Sequence, residues 1–300
     1  MAAQPRAQQH RSAPGPGVSR SSRKTGHVPI GDSVYWCCVP IRATTYEQQV
    51  NADATHTLGR MSGKGGKRKL ASALRSGIIS AMGELKPHLS LWRQGLGVVP
   101  DEVWLRTDLQ TLVLADNDLT EVSERVGDLS KLRMLDLGHN RLPELPISLG
   151  RLEGLSDFLY LHDNRLTQIP DSLSRLQRLR YLNISENAFE AFPEVVTTMR
   201  SLIELRVTDN RLTELPPSIS RLTSLRELHL RNNQLATLPD SIRAMRELRQ
   251  IDLRGNPVTS LPEGLITLPR LEKLDLRWVT VLEPPRWFSN LEAKGCIIYL

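Results

Sequence analysis

Residues 225–239 read Leu-Arg-Glu-Leu-His-Leu-Arg-Asn-Asn-Gln-Leu-Ala-Thr-Leu-Pro, and this stretch is the template for most of the chain. Around Asn233, apolar residues stand eight, five and three places before (Leu225, Leu228, Leu230) and two, five, nine and twelve places after (Leu235, Leu238, Ile242, Met245). The pattern recurs around Asn117, Asn140, Asn164, Asn187, Asn210 and Asn256, at spacings of 23 residues with a single step of 24. One period before Asn117 stands Gln94 and one period after Asn256 stands Val279, so nine units run in phase over residues 88–300. Such self-similarity is the signature of a stacked-repeat architecture.

Each unit predicts one short strand. In Leu228-His229-Leu230 successive side chains point to opposite faces, so both leucines enter the core and the histidine faces out. Only parallel stacking lets every unit use the same inward positions, which leaves the return half of each unit outside the sheet. A proline usually follows the apolar residue five places after the Asn (Pro146, Pro170, Pro193, Pro216, Pro239, Pro262). Its fixed φ and missing N–H stiffen the return into turns or 3₁₀ pieces. Where strand bends into return, backbone groups lose their ladder partners. An Asn there both donates and accepts, so the column is expected to satisfy groups of its own turn and the next. One unit alone buries too little apolar surface to offset the ordering of its backbone, so neighbours and end caps are required. Residues 70–87 predict the first cap, an amphipathic helix with Leu70, Leu74, Ile78, Met82 and Leu85 on one face. Trp287, Phe288 and Leu291, with a closing strand from Cys296 to Leu300, predict the last. The extra residue of the 24-residue step, Asp157 or a neighbour, predicts a bulge beside Phe158.

In the form Leu-x-x-Leu-x-Leu-x-x-Asn-x-Leu-x-x-Leu-Pro, residues 88–300 resemble the leucine-rich repeat superfamily. The 23-residue period is similar to that of intracellular Ras-suppressor-like scaffolds and plant intracellular Ras-group leucine-rich repeat proteins, and it also occurs in bacterial proteins. The resemblance implies an α/β solenoid: a right-handed horseshoe with a parallel sheet on its concave side, convex turns and 3₁₀ pieces, and an N-terminal helical cap. It also implies a protein partner, with a small GTPase or a signalling enzyme as the kind such scaffolds bind.

Composition divides the chain at the same boundary. Residues 88–300 hold 45 leucines against 4 in residues 1–87. The first 87 residues carry 13 basic and 4 acidic side chains, the rest 26 and 29, so the overall +6 belongs to the N-terminal segment. A nucleic-acid-binding role for the Leu-rich body is disfavoured accordingly. Residues 1–69 read as a disordered basic leader containing Pro5, Pro14, Pro16 and Pro29. A second reading places the true start at Met61. Ser62–Leu70 lacks the spacing of a phosphate-binding loop and reads as a solvated lead-in, with a nuclear-localisation, nucleic-acid or membrane-surface patch as the sharper alternatives. Three cysteines cannot build a disulfide framework, no apolar segment follows a charged opening, and no run of 18 apolar residues occurs, so an intracellular, cytoplasmic protein is expected. Cys37 and Cys38 lack the further ligands a metal site needs. The sequon at Asn183 carries no meaning without secretion.

The outward positions predict the working face. In the middle, Met134, Phe158, Tyr160, His162 and Tyr181 cluster; toward the C-terminal end Arg206, His229, Arg231, Arg254 and Arg277 make a basic stretch. Aromatics beside arginines anchor protein interfaces, because rigid side chains lose little entropy and Arg pairs bidentately. The bland alternative is that exposed strand positions favour aromatics and the arginines keep the surface soluble. One place before the Asn lies an acidic column, Asp116, His139, Asp163, Glu186 and Asp209, which invites Ca²⁺ or acid–base chemistry. Pairing with Arg141, Arg165 and Arg211, one place after the Asn, is the simpler account. No nucleophile with a base is evident, so no metal, cofactor or catalytic site is expected. The sequence therefore predicts a non-enzymatic scaffold or adaptor that grips a protein on its concave face, possible roles including intracellular signalling. The alternatives are the substrate-recognition subunit of a separate ligase, kinase or other effector enzyme, and an anion or small-ligand site at Arg206, Arg231 and Arg254.

Overall fold

The computed structural model describes residues 87–300. The leader at 1–69, Met61, Cys37, Cys38 and all but the last residue of the helix expected at 70–87 lie outside the described residues.

Ten three-residue strands, one per unit and one in the closing segment, form a single parallel sheet in chain order. They are β1 (His88–Ser90), β2 (Thr111–Val113), β3 (Met134–Asp136), β4 (Phe158–Tyr160), β5 (Tyr181–Asn183), β6 (Glu204–Arg206), β7 (Glu227–His229), β8 (Gln250–Asp252), β9 (Lys273–Asp275) and β10 (Ile297–Tyr299). Pairing is one-for-one, so the columns expected from the period are the columns observed: Met134, Phe158, Tyr181 and Glu204 stand side by side, as do Asp136, Tyr160, Asn183 and Arg206. The middle residue of each strand points the other way, into the core; from Leu112 to Leu274 these side chains are buried.

The return halves are eight five-residue 3₁₀ segments, from Asp101–Leu105 to Glu263–Thr267. Seven begin after a proline: Pro100, Pro146, Pro170, Pro193, Pro216, Pro239 and Pro262. The other follows Ser123, whose hydroxyl accepts the Arg125 amide at 3.2 Å, the capping role that a serine side chain can fill. Each segment plants at least one buried apolar residue under the sheet, as Leu149, Leu173 and Ile242 do. Neighbouring segments stack closely: a Cβ at Gly150 would lie 2.2 Å from the Ser172 carbonyl oxygen.

The Asn column, buried except for the half-buried Asn187, is bonded as a ladder, but toward the preceding unit rather than the next. Asn140 Nδ2 donates to Leu114 O (3.1 Å) of the unit before and to Leu137 O and Gly138 O of its own turn, while Oδ1 accepts the Asn117 and Leu119 amides. The reason is geometric: the Asn side chain follows the strand and turns back under it, where the previous unit's return starts. Asn210, Asn233 and Asn256 repeat the pattern. The column ends at Val279, as the sequence requires.

A second column explains the acidic positions. In all nine units the residue just before the Asn position has a positive φ: Arg93, Asp116, His139, Asp163, Glu186, Asp209, Asn232, Gly255 and Trp278, between 50° and 67°. Left-handed backbone is tolerated best by Gly, Asn, Asp and His, which accounts for most of these identities without any ligand. The expected charge pairing is corrected too. Arg141 pairs with Asp118 (2.7 Å) and Arg211 lies 3.9 Å from Glu190, so neither serves the column. Its carboxylates are met from the neighbouring units instead, Asp116 by Arg93 (3.1 Å), Asp163 by His139 (2.7 Å) and Asp209 by Arg231 (3.0 Å).

The extra residue is absorbed at the mouth of β4. In regular units the residue before the strand and its first residue both donate to one carbonyl, as Ile203 and Glu204 do to Arg180 O. Before β4 the pair shifts back by one, Ser156 and Asp157 donating to Arg133 O, which frees Phe158 from that bond. At the C-terminal end, helix α1 (Phe288–Ala293) buries Phe288 and Leu291 and leads into β10.

Candidate functional site

Across β3–β5, large side chains fill adjacent outward positions about 4.8 Å apart. Phe158 and Tyr160 stack with centroids 5.8 Å apart, and Tyr181 completes a triangle at 5.4 Å from Phe158 and 5.0 Å from Tyr160. His162 meets the edge of Tyr160 at 5.9 Å, and Arg206 lies over Tyr181 at 6.0 Å. The structure therefore brings the central cluster together, but not as freely exposed rings. Tyr160, Tyr181 and Met134 are only 8%, 6% and 7% exposed, because rings this large on strands this close cover one another. Phe158 is half-buried and is the ring with more surface left to offer.

Beside it runs a histidine chain. Asp163 Oδ2 accepts from His139 Nδ1 at 2.7 Å, which leaves His139 Nε2 to accept from His162 Nε2 at 3.1 Å. That assignment of tautomers follows from the contacts. His162 Nδ1 is then buried without a protein partner among the described residues. Burial, reinforced by His139, pushes the His162 pKa down to about 4, so His162 is neutral at physiological pH.

The side chains of the basic stretch are ion-paired rather than free. Arg206 Nε lies 2.6 Å from Glu204, Arg254 binds Asp252 at 2.6 Å and Arg277 binds Asp275 at 2.8 Å. His229 sits 3.3 Å from Glu227, and Arg231 holds Asp209. Carboxylates thus neutralise the arginines, and an anion at Arg206, Arg231 and Arg254 would have to displace carboxylates already bound there, the one at Arg254 bidentate. Glu227 is held below the usual carboxylate range, chiefly by its hydrogen bond to His229. Glu204, Glu227 and His229 place their donor atoms within 4.8 Å of one another, a metal-ligand set that the sequence reading missed. The Arg206 guanidinium already supplies the positive charge there, so the cluster is satisfied as an ion-pair network.

Comparison with known proteins agrees with this geometry. The leucine rich repeat family model matches residues 88–142 and 200–258. Among solved structures, a leucine-rich repeat protein of Leptospira interrogans is similar at 25% identity with a TM-score of 0.59, covering 74% of this chain and 68% of that one.

Residues 88–142 and 200–258 are leucine-rich repeats.

The repeat ectodomain of the plant membrane receptor kinase GASSHO1/SCHENGEN3 from Arabidopsis thaliana, solved in complex with CASPARIAN STRIP INTEGRITY FACTOR 2, is 26% identical with a TM-score of 0.60; it covers 71% of this chain, which spans 26% of that one. The PEPR1–AtPEP1 structure shares the fold at 21% identity and a TM-score of 0.54, over 67% of this chain and 32% of that one. No curated protein sequence matches. Among the described residues of this leucine-rich repeat chain, no helix is long and apolar enough to cross a membrane.

Proposed function

We propose that the chain is a non-enzymatic protein-interaction module whose partner docks on the sheet face over β3–β5. The observation that carries this reading is the ring cluster: Phe158, Tyr160 and Tyr181 are locked against one another on adjacent strands, so binding orders them at little entropic cost. Phe158 is the anchor, Met134 and His162 flank it, and the charge lattice of Arg206, His229, Arg231 and Arg254 forms a polar margin. The similar Arabidopsis ectodomain was solved in complex with CASPARIAN STRIP INTEGRITY FACTOR 2, which supports a binding role for the repeats. Three cysteines in 300 residues favour an intracellular, cytoplasmic setting, and the 23-residue form favours a small GTPase or signalling enzyme as the partner. Affinity capture with quantitative mass spectrometry tests the reading. Phe158→Ser is expected to lose the stoichiometric partner at least tenfold while Ile147→Ser, an exposed change in a 3₁₀ segment, retains it; capture unaffected by Phe158→Ser overturns the site. A catalytic chain as the captured partner assigns the module to substrate recognition for that enzyme.

A further inference from the structure

A separate surface lies along one lateral edge of the solenoid, where the returns enter the strands. Ser156, Arg178, Arg180, Ser201, Ser224 and Arg226 line an open groove of about 590 Å³, with Ile203 in its wall. Most units place a charge on this edge, but the charges are unevenly partnered. On one flank Arg133 binds Asp157 (3.2 Å), which also accepts from the Ser156 hydroxyl. On the other, Arg249 binds Glu272 (2.8 Å) and Arg270 binds Glu247, the groove's acid. Between them Arg178, Arg180 and Arg226 form no ion pair, and the Ser201 and Ser224 hydroxyls no hydrogen bond, among the described residues.

Three guanidinium-bearing and two hydroxyl-bearing residues thus line one groove with no acceptor of their own among the described residues. Their backbones are fixed, because the Arg180 and Arg226 carbonyls each accept two amides from the next unit. Arg180 and Arg226 stand two strands apart, roughly 10 Å, on either side of Ile203. Long side chains at that separation can close on one group from both sides. A dianion with three terminal oxygens uses this many donors; a carboxylate, with one charge and two oxygens, leaves several idle. The arginines are exposed and the groove is open, so a small free ligand would remain largely in water, unlike the enclosure that small-molecule sites provide. A phosphate displayed on a larger chain adds contacts along the edge.

We propose that this edge groove binds a phosphomonoester carried on a protein segment, with Arg178, Arg180 and Arg226 as the charged clamp and Ser201 and Ser224 as neutral donors. The site is independent of the sheet face, and its failure leaves that reading intact. The test is fluorescence anisotropy of the full 300-residue chain with a labelled Gly-Gly-phosphoserine-Gly-Gly peptide, beside the same peptide carrying Ser or Glu. The phosphopeptide is expected to bind at least tenfold tighter than either, and to weaken as salt rises. Arg178→Gln with Arg180→Gln and Arg226→Gln is expected to lose more than tenfold in affinity with an unchanged circular dichroism spectrum. Arg249→Gln, on the same edge but already paired, is expected to stay within threefold. Equal binding of the Glu peptide, retained affinity in the triple variant, or displacement by inorganic phosphate at the peptide's own Kd overturns the proposal.

Discussion

Replacing Asn210 by alanine removes the hydrogen bonds that tie its unit to the one before. Asn210 Nδ2 donates to Ile184 O at 3.1 Å and Oδ1 accepts the Phe189 amide at 3.1 Å. After the change Ile184 O keeps a partner in Asn187 Nδ2 (3.2 Å), whereas the Phe189 amide, behind a fully buried side chain, keeps none among the described residues. Two lost bonds at about 1 kcal/mol each and one orphaned donor at about 1–3 kcal/mol sum to about 3–5 kcal/mol. For a cooperative unit of this size, 1 kcal/mol moves Tm by about 2–4 °C, so thermal unfolding followed by circular dichroism should fall by about 10 °C. The loss falls on coupling between neighbours, so the transition should also broaden. Asn232→Gly is the matched control: Asn232 has a positive φ of 52° and an outward side chain, and Gly255 occupies the equivalent position one unit on. It should change stability by no more than about 0.5 kcal/mol, since Gly relieves the left-handed backbone it replaces. A Tm shift under 2 °C for Asn210→Ala, or shifts of equal size in both variants, would refute the ladder as a source of coupling.

His162 and Cys296 give two further expectations. The folded pKa of His162 is depressed to about 4, by burial first and then by His139, with Asp163 opposing and Arg206 assisting, while the unfolded chain titrates near 6.5. Below pH 6.5 the unfolded state therefore takes up a proton that the folded state refuses, and stability is lost as pH falls toward 4. Partial solvent access reduces the effect to about 1–2 kcal/mol, and denaturation of His162→Asn at pH 7 and pH 4.5 should show a smaller difference between the two pH values than the unsubstituted chain. Equal differences would remove His162 as the cause. Burial, with help from Glu292, raises the Cys296 thiol to about 11, so iodoacetamide at pH 8 should alkylate the Cys296 peptide far more slowly in native than in denatured protein, as read by peptide mass spectrometry. Equal rates would contradict the packed C-terminal end.

The strands and their register were legible because a side-chain period of two inside a unit period of 23 leaves one parallel stacking, and the outward columns expected across the nine units match the observed pairing from His88 to Asp275. The direction of the Asn bonds was not, since donor and acceptor on one side chain reach either neighbour equally well on paper. The left-handed column was signalled by its Asp, His, Asn and Gly identities, but their charge drew the reading toward ligands. Exposure failed for Tyr160 and Tyr181 because facing outward sets a direction and not an accessible area; the area depends on what the next strand carries. The arginines misled for the same reason. Arg206, Arg254 and Arg277 each meet a carboxylate two residues back in their own unit, a pairing visible only when two columns are read together. The edge groove likewise joins positions one and three before the strand, which no single column reveals.

Site-specific photocrosslinking tests the partner-binding face most directly. p-Benzoylphenylalanine placed at Phe158, beside Tyr160 and Tyr181, should crosslink the captured partner on irradiation, while the same group at Ile147, 70% exposed in a 3₁₀ segment, should not. Crosslinks from position 147 with none from 158 would contradict the account and move the partner off the β3–β5 face.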